Sequence, residues 1–384
     1  MSQHIAVVGL GQMGRSALAI LLDALPGARF LAVDRDERAV STAVHQAPDR
    51  VKGRASDVTA GLDLTGVDLV LNLAGPFFTG SDVVARQALA TGAAYVDICD
   101  DIEGTTAILA LDAEARSVGV PLVTGAGLSP GVSNWMACRL LDEHPEADGI
   151  QVAWAVHESD PGGLAPLRHM LHMTVSPCPV LRDGVWGHSA GFVPDTAAAF
   201  RFPHPLGEIE AYDTAHPEPV TLARHFRRLR NAGCKGALQP AWANSAFSTL
   251  GRIGFGHSDV PVEIAGAAVE PAEFLWKLMW ARYHRRPQRP RSAHTGVLVQ
   301  ALRGDEVIDA LAVTDSEVMA RGTGIGAAVA VVGLLKHGAH PGAWGVEVLP
   351  WRDSLDRFEN IAAQRGGFTD GVARTALSAP SCSA

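Results

Sequence analysis

The chain has 384 residues, of which 47% are hydrophobic and 19% charged. This length and composition are typical of a globular protein with two domains. The formal net charge of −9 argues against a nucleic-acid-binding protein, because such a protein needs a basic surface that neutralises phosphates.

The five cysteines are widely spaced and form no C-x-x-C pair, which argues against a disulfide framework and against a structural zinc site. The longest apolar run, residues 325–335, is too short to span a bilayer. The first residues lead directly into a strand and do not resemble an export signal. We therefore expect a cytoplasmic protein that has no membrane partner.

The first third of the chain alternates short β-branched runs with amphipathic stretches, a pattern that predicts a parallel sheet covered by helices. Strands are predicted at residues 5–8, 30–33, 69–73, 95–98 and 120–123, and helices at residues 12–25, 37–46, 81–91 and 105–118. Residues 1–130 are therefore predicted to form an N-terminal Rossmann domain with a doubly wound parallel sheet.

After residue 131 the predicted strands are longer and alternate between apolar and polar residues, as in residues 151–156. Residues 131–336 are predicted to form a second α/β domain with a mixed sheet, so the whole chain belongs to the α/β class. A helix predicted at residues 326–336 and a strand at residues 345–349 lead the chain back. About residues 337–384 are expected to complete the Rossmann domain.

A glycine-rich turn follows the first strand and opens the first helix, with the sequence Gly9-Leu10-Gly11-Gln12-Met13-Gly14. In this context the first glycine permits a tight turn, the second lets a pyrophosphate approach, and the third allows the helix to pack closely on the strand. The N-terminus of the helix offers amide groups and the positive end of its dipole to the phosphates. The turn predicts a nicotinamide dinucleotide cofactor.

An acidic residue, Asp34, lies 20 residues after Gly14, at the end of the second strand. A carboxylate there can accept hydrogen bonds from a ribose and repels a 2′-phosphate, which favours NAD. Arg35 could stack on adenine or bind that phosphate, so NADP stays possible. Asp57 and Val58 are predicted to flank the adenine, unless Asp57 only caps a loop.

The third strong strand ends in a loop that contains Asn72, Ala74, Gly75, Pro76 and Phe77. Open α/β sheets bind ligands at the carboxyl ends of their strands, so this loop is predicted to run beside the nicotinamide ribose. The alternative is a simple turn that ends the strand.

Four stretches of the sequence resemble the saccharopine dehydrogenase-like family of oxidoreductases. They are residues 9–14, residues 72–77 continuing into 88–97, residues 125–134, and residues 338–347 with Pro350. Members of this family include saccharopine reductases, lysine 6-dehydrogenases, carboxynorspermidine dehydrogenases and homospermidine synthases. The chain departs from the family pattern at Trp351, where an acidic residue usually follows the proline.

The resemblance implies hydride transfer at a carbon–nitrogen bond, either imine reduction or amine dehydrogenation, on an amino-acid-like or polyamine-like substrate. It also implies a discontinuous first domain and a second domain that mediates a homodimer. Two other functions stay open: a transferase that recycles bound NAD, as homospermidine synthases do, and a sensor that binds the dinucleotide as a signal.

Imine chemistry needs a group that stabilises a positive nitrogen and groups that anchor carboxylates. Asp97, at the end of a strand, is the leading catalytic candidate, with a helix cap or loop acceptor as the equal alternative. Cys99 is either a proton donor or, by preference, a small packing residue. Arg252 and Arg168 are the candidates for gripping a substrate carboxylate.

The remaining candidate substrate residues lie on both sides of the predicted domain boundary. Ser129, Pro130, Gly131 and Asn134 lead into a helix whose N-terminus could hold an anion, unless the segment is an ordinary hinge. Glu158 ends a strand, and His169 lies three residues before His172 on a predicted helix. These two histidines suggest a metal site, but the sequence positions no third ligand, so no metal is predicted.

Overall fold

The apolar runs of the first third pair as strands of one parallel sheet in the computed structural model. The structure describes residues 3–80, 82–160, 163–256, 260–285, 293–317, 319–367 and 371–375. The chain divides into two compact units, the first comprising Met1–Trp135 and Ala320–Ile361 and the second Met136–Met319 and Ala362–Ala384.

The first unit contains a seven-stranded sheet in which every pair is parallel, in the order β17-β6-β5-β4-β1-β2-β3. Numbered along the whole chain, its strands are β1 (His4–Val8), β2 (Arg29–Asp34), β3 (Val51–Ala55), β4 (Leu69–Asn72), β5 (Ala94–Asp97), β6 (Pro121–Thr124) and β17 (Gly342–Gly345). Its helices are α1 (Gln12–Ala24), α2 (Glu37–Gln46), α3 (Asp82–Thr91), α4 (Ile102–Leu109) and α5 (Asp112–Val118). The boundaries between the two units fall within three helices, α6 (Val132–Glu143), α11 (Met319–His337) and α12 (Trp351–Arg365).

The second unit contains a mixed sheet in the order β10-β11-β12-β7-β15-β16-β18, with β8 and β9 joined to it through β12. Only the pair β12–β7 is parallel, and the other pairs are antiparallel. Its strands are β7 (Gly149–His157), β8 (Pro177–Arg182), β9 (Val185–Ala190), β10 (Ala198–Arg201), β11 (Glu208–Asp213), β12 (Asn231–Gln239), β15 (Thr295–Arg303), β16 (Glu306–Asp315) and β18 (Ala373–Arg374). Its helices are α7 (Leu164–Met173), α8 (Glu218–His225), α9 (Trp242–Leu250) and α10 (Pro271–Arg285), and a hairpin is formed by β13 (Val262–Ile264) and β14 (Ala267–Val269).

These two sheets confirm the predicted α/β class, with a parallel Rossmann sheet and a second, mixed sheet. The units differ from the predicted domains in two places. Helix α11, which the prediction gave to the second domain, lies almost wholly in the first unit. The chain from Ala362 onwards belongs to the second unit, because β18 pairs with β16; residues 376–384, which the prediction also covered, lie outside the described residues.

Two predicted elements are wrong in detail. The helix predicted at residues 105–118 is two helices, α4 and α5, which break at Ala110 and Leu111. The strand predicted at residues 345–349 is instead β17 followed by a 3-10 helix, Val346–Val348. The chain turns at that point because the Val346 carbonyl accepts a hydrogen bond from Trp135 Nε1 at 3.2 Å.

Helix α11 begins seven residues before the predicted start. Its first half is rich in glycine, which has a low helix propensity, so the sequence pattern does not predict a helix there. Close packing compensates: a Cβ at Gly324 would overlap Ser16 of α1, and one at Gly326 would overlap the Gly127 carbonyl. This helix is long and apolar enough to cross a membrane, but 78% of its apolar window is buried inside the protein. It has the character of a core helix.

Candidate functional site

The glycine turn between β1 and α1 is the first part of the candidate cofactor site. Gly9 has a φ of +90°, and its amide donates to the Val33 carbonyl of β2 at 2.8 Å. A Cβ at Gly9 would lie 2.6 Å from the Ala74 amide nitrogen, and one at Gly14 would overlap the Gly9 carbonyl oxygen. A side chain at either position would therefore displace the backbone that closes the turn.

Gly11 differs from these two glycines because a side chain there would meet open space. Apart from its chain neighbours, no atom of the described residues lies within 4 Å of the position of a Gly11 Cβ. Gly11 is the N-cap of α1 without a side-chain cap, and the first turn, with Gln12 and Met13, contains no acidic residue. The residues present therefore fit a pyrophosphate bound at this helix N-terminus.

Asp34 ends β2, and two backbone amides hold its carboxylate beside the glycine turn. Oδ2 accepts a hydrogen bond from the Leu10 amide at 2.6 Å, and Oδ1 accepts one from the Asp36 amide at 2.9 Å. The carboxylate is half-buried, whereas the neighbouring Arg35 is exposed. Asp34 thus occupies the position at which a Rossmann sheet recognises a ribose.

Asp57 caps the 3-10 helix Val58–Ala60, in agreement with the alternative prediction that it caps a loop. Its Oδ1 accepts hydrogen bonds from the Thr59 amide at 2.9 Å and the Thr59 hydroxyl at 2.7 Å. These bonds, and to a smaller extent the Arg35 guanidinium, lower the pKa of Asp57. Contact of Asp57 and Val58 with an adenine stays a prediction.

The loop after β4 is held by buried polar side chains. Asn72 Nδ2 donates to the Tyr95 hydroxyl at 3.0 Å, and Asn72 Oδ1 accepts from the Ala74 amide at 3.1 Å. The loop continues through half-buried Gly75 and Pro76 to a buried Phe77. The register places Asn72 between Val8 and Asp97, so the loop leaves the same sheet edge as the glycine turn.

Asp97 is fully buried at the end of β5. Its Oδ1 accepts three hydrogen bonds, from the Cys99 amide at 3.0 Å, the Thr124 hydroxyl at 2.7 Å and the Gly125 amide at 3.0 Å. Burial raises the pKa of Asp97, although these hydrogen bonds oppose the shift. Asp97 is therefore an acceptor for the surrounding loops, and a part for it in the chemistry stays a prediction.

The Cys99 thiol is also fully buried. Its Sγ lies 3.4 Å from the Asp101 carbonyl and 3.6 Å from the Thr105 hydroxyl. Burial, followed by the charges of Asp97 and Asp101, raises the pKa of Cys99 well above its ordinary value. The thiol is packed among buried neighbours, and a role as a proton donor stays a prediction.

The segment after β6 forms a turn that side chains hold from within the first unit. The Gly127 amide donates to the Pro130 carbonyl at 2.8 Å, and the Gly131 amide donates to Asn134 Oδ1 at 2.9 Å. Asn134 Nδ2 donates to Glu347 Oε1 at 2.5 Å. Pro130, Gly131 and Asn134 are buried and Ser129 is half-buried, so of these four candidates Ser129 offers the most side-chain surface to a ligand.

The candidate residues of the second unit have different surroundings. Arg252 is exposed within the π-helical turn Gly251–Phe255. The Arg168 guanidinium forms an ion pair with the Glu270 carboxylate, so part of its charge is already matched. Glu158 is half-buried, and its amide donates to the Gln239 carbonyl at 2.7 Å. His169 is buried, with its Nε2 at 3.3 Å from His216 Nε2.

Sequence reasoning overlooked two residues that shape these loops. Asp101 Oδ2 accepts a hydrogen bond from the Phe77 amide at 3.0 Å, and Asp101 is the N-cap of α4. Its side chain forms no cap hydrogen bond, so the cap signal that an aspartate before a helix gives would have found the position of Asp101 but not its contact with Phe77. Glu347 lies 213 positions from Asn134, and no local signal connects them.

Residues 5–123 match the family model for the saccharopine dehydrogenase NADP binding domain. The saccharopine dehydrogenase (L-Glu forming) of Saccharomyces cerevisiae superposes with a TM-score of 0.62 at 15% identity, covering 98% of this chain and 100% of that chain. An amine dehydrogenase from Mycobacterium smegmatis has a TM-score of 0.45 at 13% identity, over 91% of this chain and 96% of that chain.

The family model covers the glycine turn, Asp34, the loop after β4 and Asp97, all of which the geometry above places in the first unit. The superposition with the yeast enzyme extends the likeness in fold to both units. Residues 5–123 thus resemble the dinucleotide-binding domain of the family that the sequence motifs indicate, and the whole chain shares the fold of the yeast enzyme.

Proposed function

We propose that this protein is an NAD-dependent oxidoreductase that acts on a carbon–nitrogen bond of an amino-acid-like or polyamine-like substrate, by imine reduction or amine dehydrogenation. The observation that carries the proposal is the glycine turn with its open space at Gly11, inside a domain of the saccharopine dehydrogenase family. The yeast relative, a saccharopine dehydrogenase, supports the same class of reaction.

The preference for NAD rests on Asp34. Its carboxylate is fixed by two backbone amides beside the turn, where it can accept hydrogen bonds from ribose hydroxyls and would repel a phosphate on the same ribose. The name of the family model refers to NADP. Arg35, which is exposed and influences Asp57, is the residue that would receive that phosphate.

The dinucleotide, when bound, supplies or accepts the hydride. The residues of the chain would hold it: the start of α1 would bind the pyrophosphate, and the loop from Asn72 to Phe77 would border the nicotinamide ribose. Asp97 is a positioning residue, because its carboxylate fixes the backbone of Cys99 and Gly125 and is fully buried. Ser129, Glu158 and Arg252 remain the candidates for contact with substrate, whereas His169 is buried against His216.

The proposal is tested by following nicotinamide absorbance with the purified protein and a panel of substrates. The panel contains amino acids and polyamines with NAD, and keto acids or aldehydes with amines and NADH, each repeated with the phosphorylated cofactor. Turnover is expected with at least one amine or imine, faster with NAD than with NADP. Cofactor binding without turnover across the panel would contradict the proposal and favour a sensor.

Tightly bound NAD with product formation but no net change in nicotinamide absorbance would instead identify the transferase that recycles its cofactor. Simple alcohols serve as controls for the reaction class. Oxidation of alcohols in place of amines would refute the assignment to a carbon–nitrogen bond.

We propose that the protein forms a homodimer through its second unit. Helix α10 exposes Phe274 and Leu278, one turn apart, next to an ion pair between Glu273 and Lys277. A two-fold pairing would bury these apolar side chains and place opposite charges across from each other. Sedimentation should show a dimer that Leu278→Glu dissociates, and a monomeric wild type would contradict this assembly.

A cytoplasmic location stays a prediction.

A further inference from the structure

Three side chains with metal-binding atoms meet in the interior of the second unit. His216, Glu218 and Cys234 are 5%, 0% and 2% exposed. One donor atom from each lies within 4.8 Å of the other two, and His216 Nδ1 is 3.2 Å from Glu218 Oε2. The three atoms are an imidazole nitrogen, a carboxylate oxygen and a sulfur, a set that zinc accepts.

The fold brings these residues together through one short connection. After β11 the chain turns, and the Thr214 amide donates to the Cys234 carbonyl of β12 at 3.1 Å. The His216 amide then donates to the Thr214 carbonyl at 2.9 Å, and Glu218 follows as the first residue of α8. The backbone thus holds the connection against the strand that carries the thiol.

The other ring nitrogen of His216, Nε2, also has a neighbour. Its Nε2 lies 3.3 Å from His169 Nε2, which leaves Nδ1 directed towards Glu218. Histidines that bind metals nearly always form a hydrogen bond through their other ring nitrogen, because that contact sets the tautomer and the orientation of the ring. His169 has this orienting position.

Electric charge also favours a divalent cation here. The Glu218 carboxylate is 0% exposed and pairs with His216, so the fold already places a negatively charged group in this interior position. A divalent cation with one carboxylate, one thiolate and one neutral imidazole forms a site with no net charge. Aromatic rings surround it: the Trp154 ring centroid lies 5.5 Å from that of His216, and Phe192 packs on Trp154.

We propose that His216, Glu218 and Cys234 supply three ligands to a zinc ion, whose fourth position a water would fill, with His169 as the residue that orients His216. The ion would fasten the start of α8 to β12 inside the second unit. The sequence alone predicts no metal, because it positions no third ligand beside His169 and His172, and Cys234 lies 16 residues after Glu218. The proposal is independent of the proposed reaction.

The test uses the full chain, stripped with a chelator and then titrated with Zn²⁺ and with Co²⁺. One equivalent of zinc is expected to bind and to raise the melting temperature. Cobalt is expected to produce near-ultraviolet charge-transfer absorption from a thiolate, together with visible bands of a tetrahedral site. Neither measurement needs turnover or a variant, so absence of both bound metal and thermal shift would overturn the proposal.

Variants assign the ligands. Cys234→Ser should lose the charge-transfer absorption, and Glu218→Gln should bind zinc at least about 100-fold more weakly. Cys178→Ser is the matched control, because Cys178 is also a buried free thiol of the same sheet, and its absorption should match that of the wild type. Equal cobalt spectra for Cys234→Ser and the wild type would also overturn the assignment.

Discussion

The two units of this protein use their buried polar side chains in different ways. In the first unit Asn72, Asp97 and Asp101 accept hydrogen bonds from backbone amides at the ends of strands. In the second unit His169, His216 and Glu218 face one another. The first arrangement shapes loops so that backbone can bind a cofactor, whereas the second assembles a site from side chains.

The comparison shows where each unit should be sensitive to substitution. A site made of backbone is disturbed by added volume or by loss of the acceptors that hold its loops. A site made of side chains is disturbed when one donor atom is exchanged. The predictions below challenge this distinction within the first unit, in decreasing order of expected effect.

Gly11→Val should abolish cofactor binding while the protein stays folded. The new side chain enters open space, where it would block the approach of a pyrophosphate, and we expect affinity for NAD to fall at least about 100-fold. Titration calorimetry measures the affinity and thermal melting the stability. Gly27→Val is the control, since a Cβ at Gly27 also meets open space outside the turn. Unchanged affinity in Gly11→Val would contradict the backbone site.

Asp97→Ala should destabilise the protein by about 2 to 3 kcal/mol, because three buried donors lose their acceptor. Asp97→Asn retains an acceptor oxygen and should cost less. Denaturant unfolding measures both free energies, and steady-state assays measure turnover. A positioning role predicts that the Ala variant loses more turnover than the Asn variant. Full stability with no turnover in Asp97→Asn would show instead that the carboxylate acts in the chemistry.

The difference in free energy of unfolding between the wild type and Asp97→Asn should depend on pH with a defined sign. Because burial raises the pKa of Asp97 in the folded state, its contribution to stability is fully present below the unfolded pKa and is lost as pH rises through the raised value. The free energy of unfolding of the wild type, relative to Asp97→Asn, should therefore increase as pH is lowered through that range. A constant difference would contradict a buried, titrating carboxylate.

Asp34→Ala should weaken NAD binding by about tenfold and NADP binding by less, because the lost hydrogen bonds to ribose matter more for NAD. Since Asp34 also accepts from the Leu10 amide, some loss is expected for both cofactors, and the ratio of the two affinities is the informative quantity. Arg35→Ala is the matched variant, which should leave NAD affinity unchanged. An equal fall for both cofactors in Asp34→Ala would refute the assignment to NAD.

Asp353→Asn should destabilise the first unit by about 1 kcal/mol. Asp353 pairs with Lys336 at 2.6 Å, His337 at 3.1 Å and Arg357 at 3.2 Å. Burial opposes ionisation, but these partners outweigh it and lower the pKa of Asp353 far below its ordinary value. Its contribution is present above the unfolded pKa and is lost as pH falls through the folded value, the reverse of Asp97.

Thermal melting at neutral and acidic pH measures this effect. Asp356→Asn is the control, because Asp356 is an exposed aspartate of the same helix. Equal melting temperatures for the two variants at neutral pH would show that the Asp353 network contributes nothing measurable.

The sequence by itself determined most of the first unit. Each βαβ segment is recognisable locally from an apolar strand, a turn and an amphipathic helix, so β1, β2, β4, β5 and β6 lie within a residue or two of prediction, whereas β17 does not. The glycine turn and Asp34 could be read in the same way, because their spacing along the chain reflects a local geometry.

Only the tertiary structure decided the rest. The parallel pairing of β12 with β7 joins residues about 80 positions apart, and helix α11 owes its full length to close packing of Gly324 and Gly326. Two of the three hydrogen-bond donors to Asp97 are Thr124, the last residue of β6, and Gly125, which follows it. Only the pairing of strands in the fold brings them to Asp97. His216 and Cys234 become neighbours only once β12 lies beside the turn after β11. Contacts between distant segments leave no periodic pattern in a single sequence, and they decided which polar residues line a site and which hold the fold.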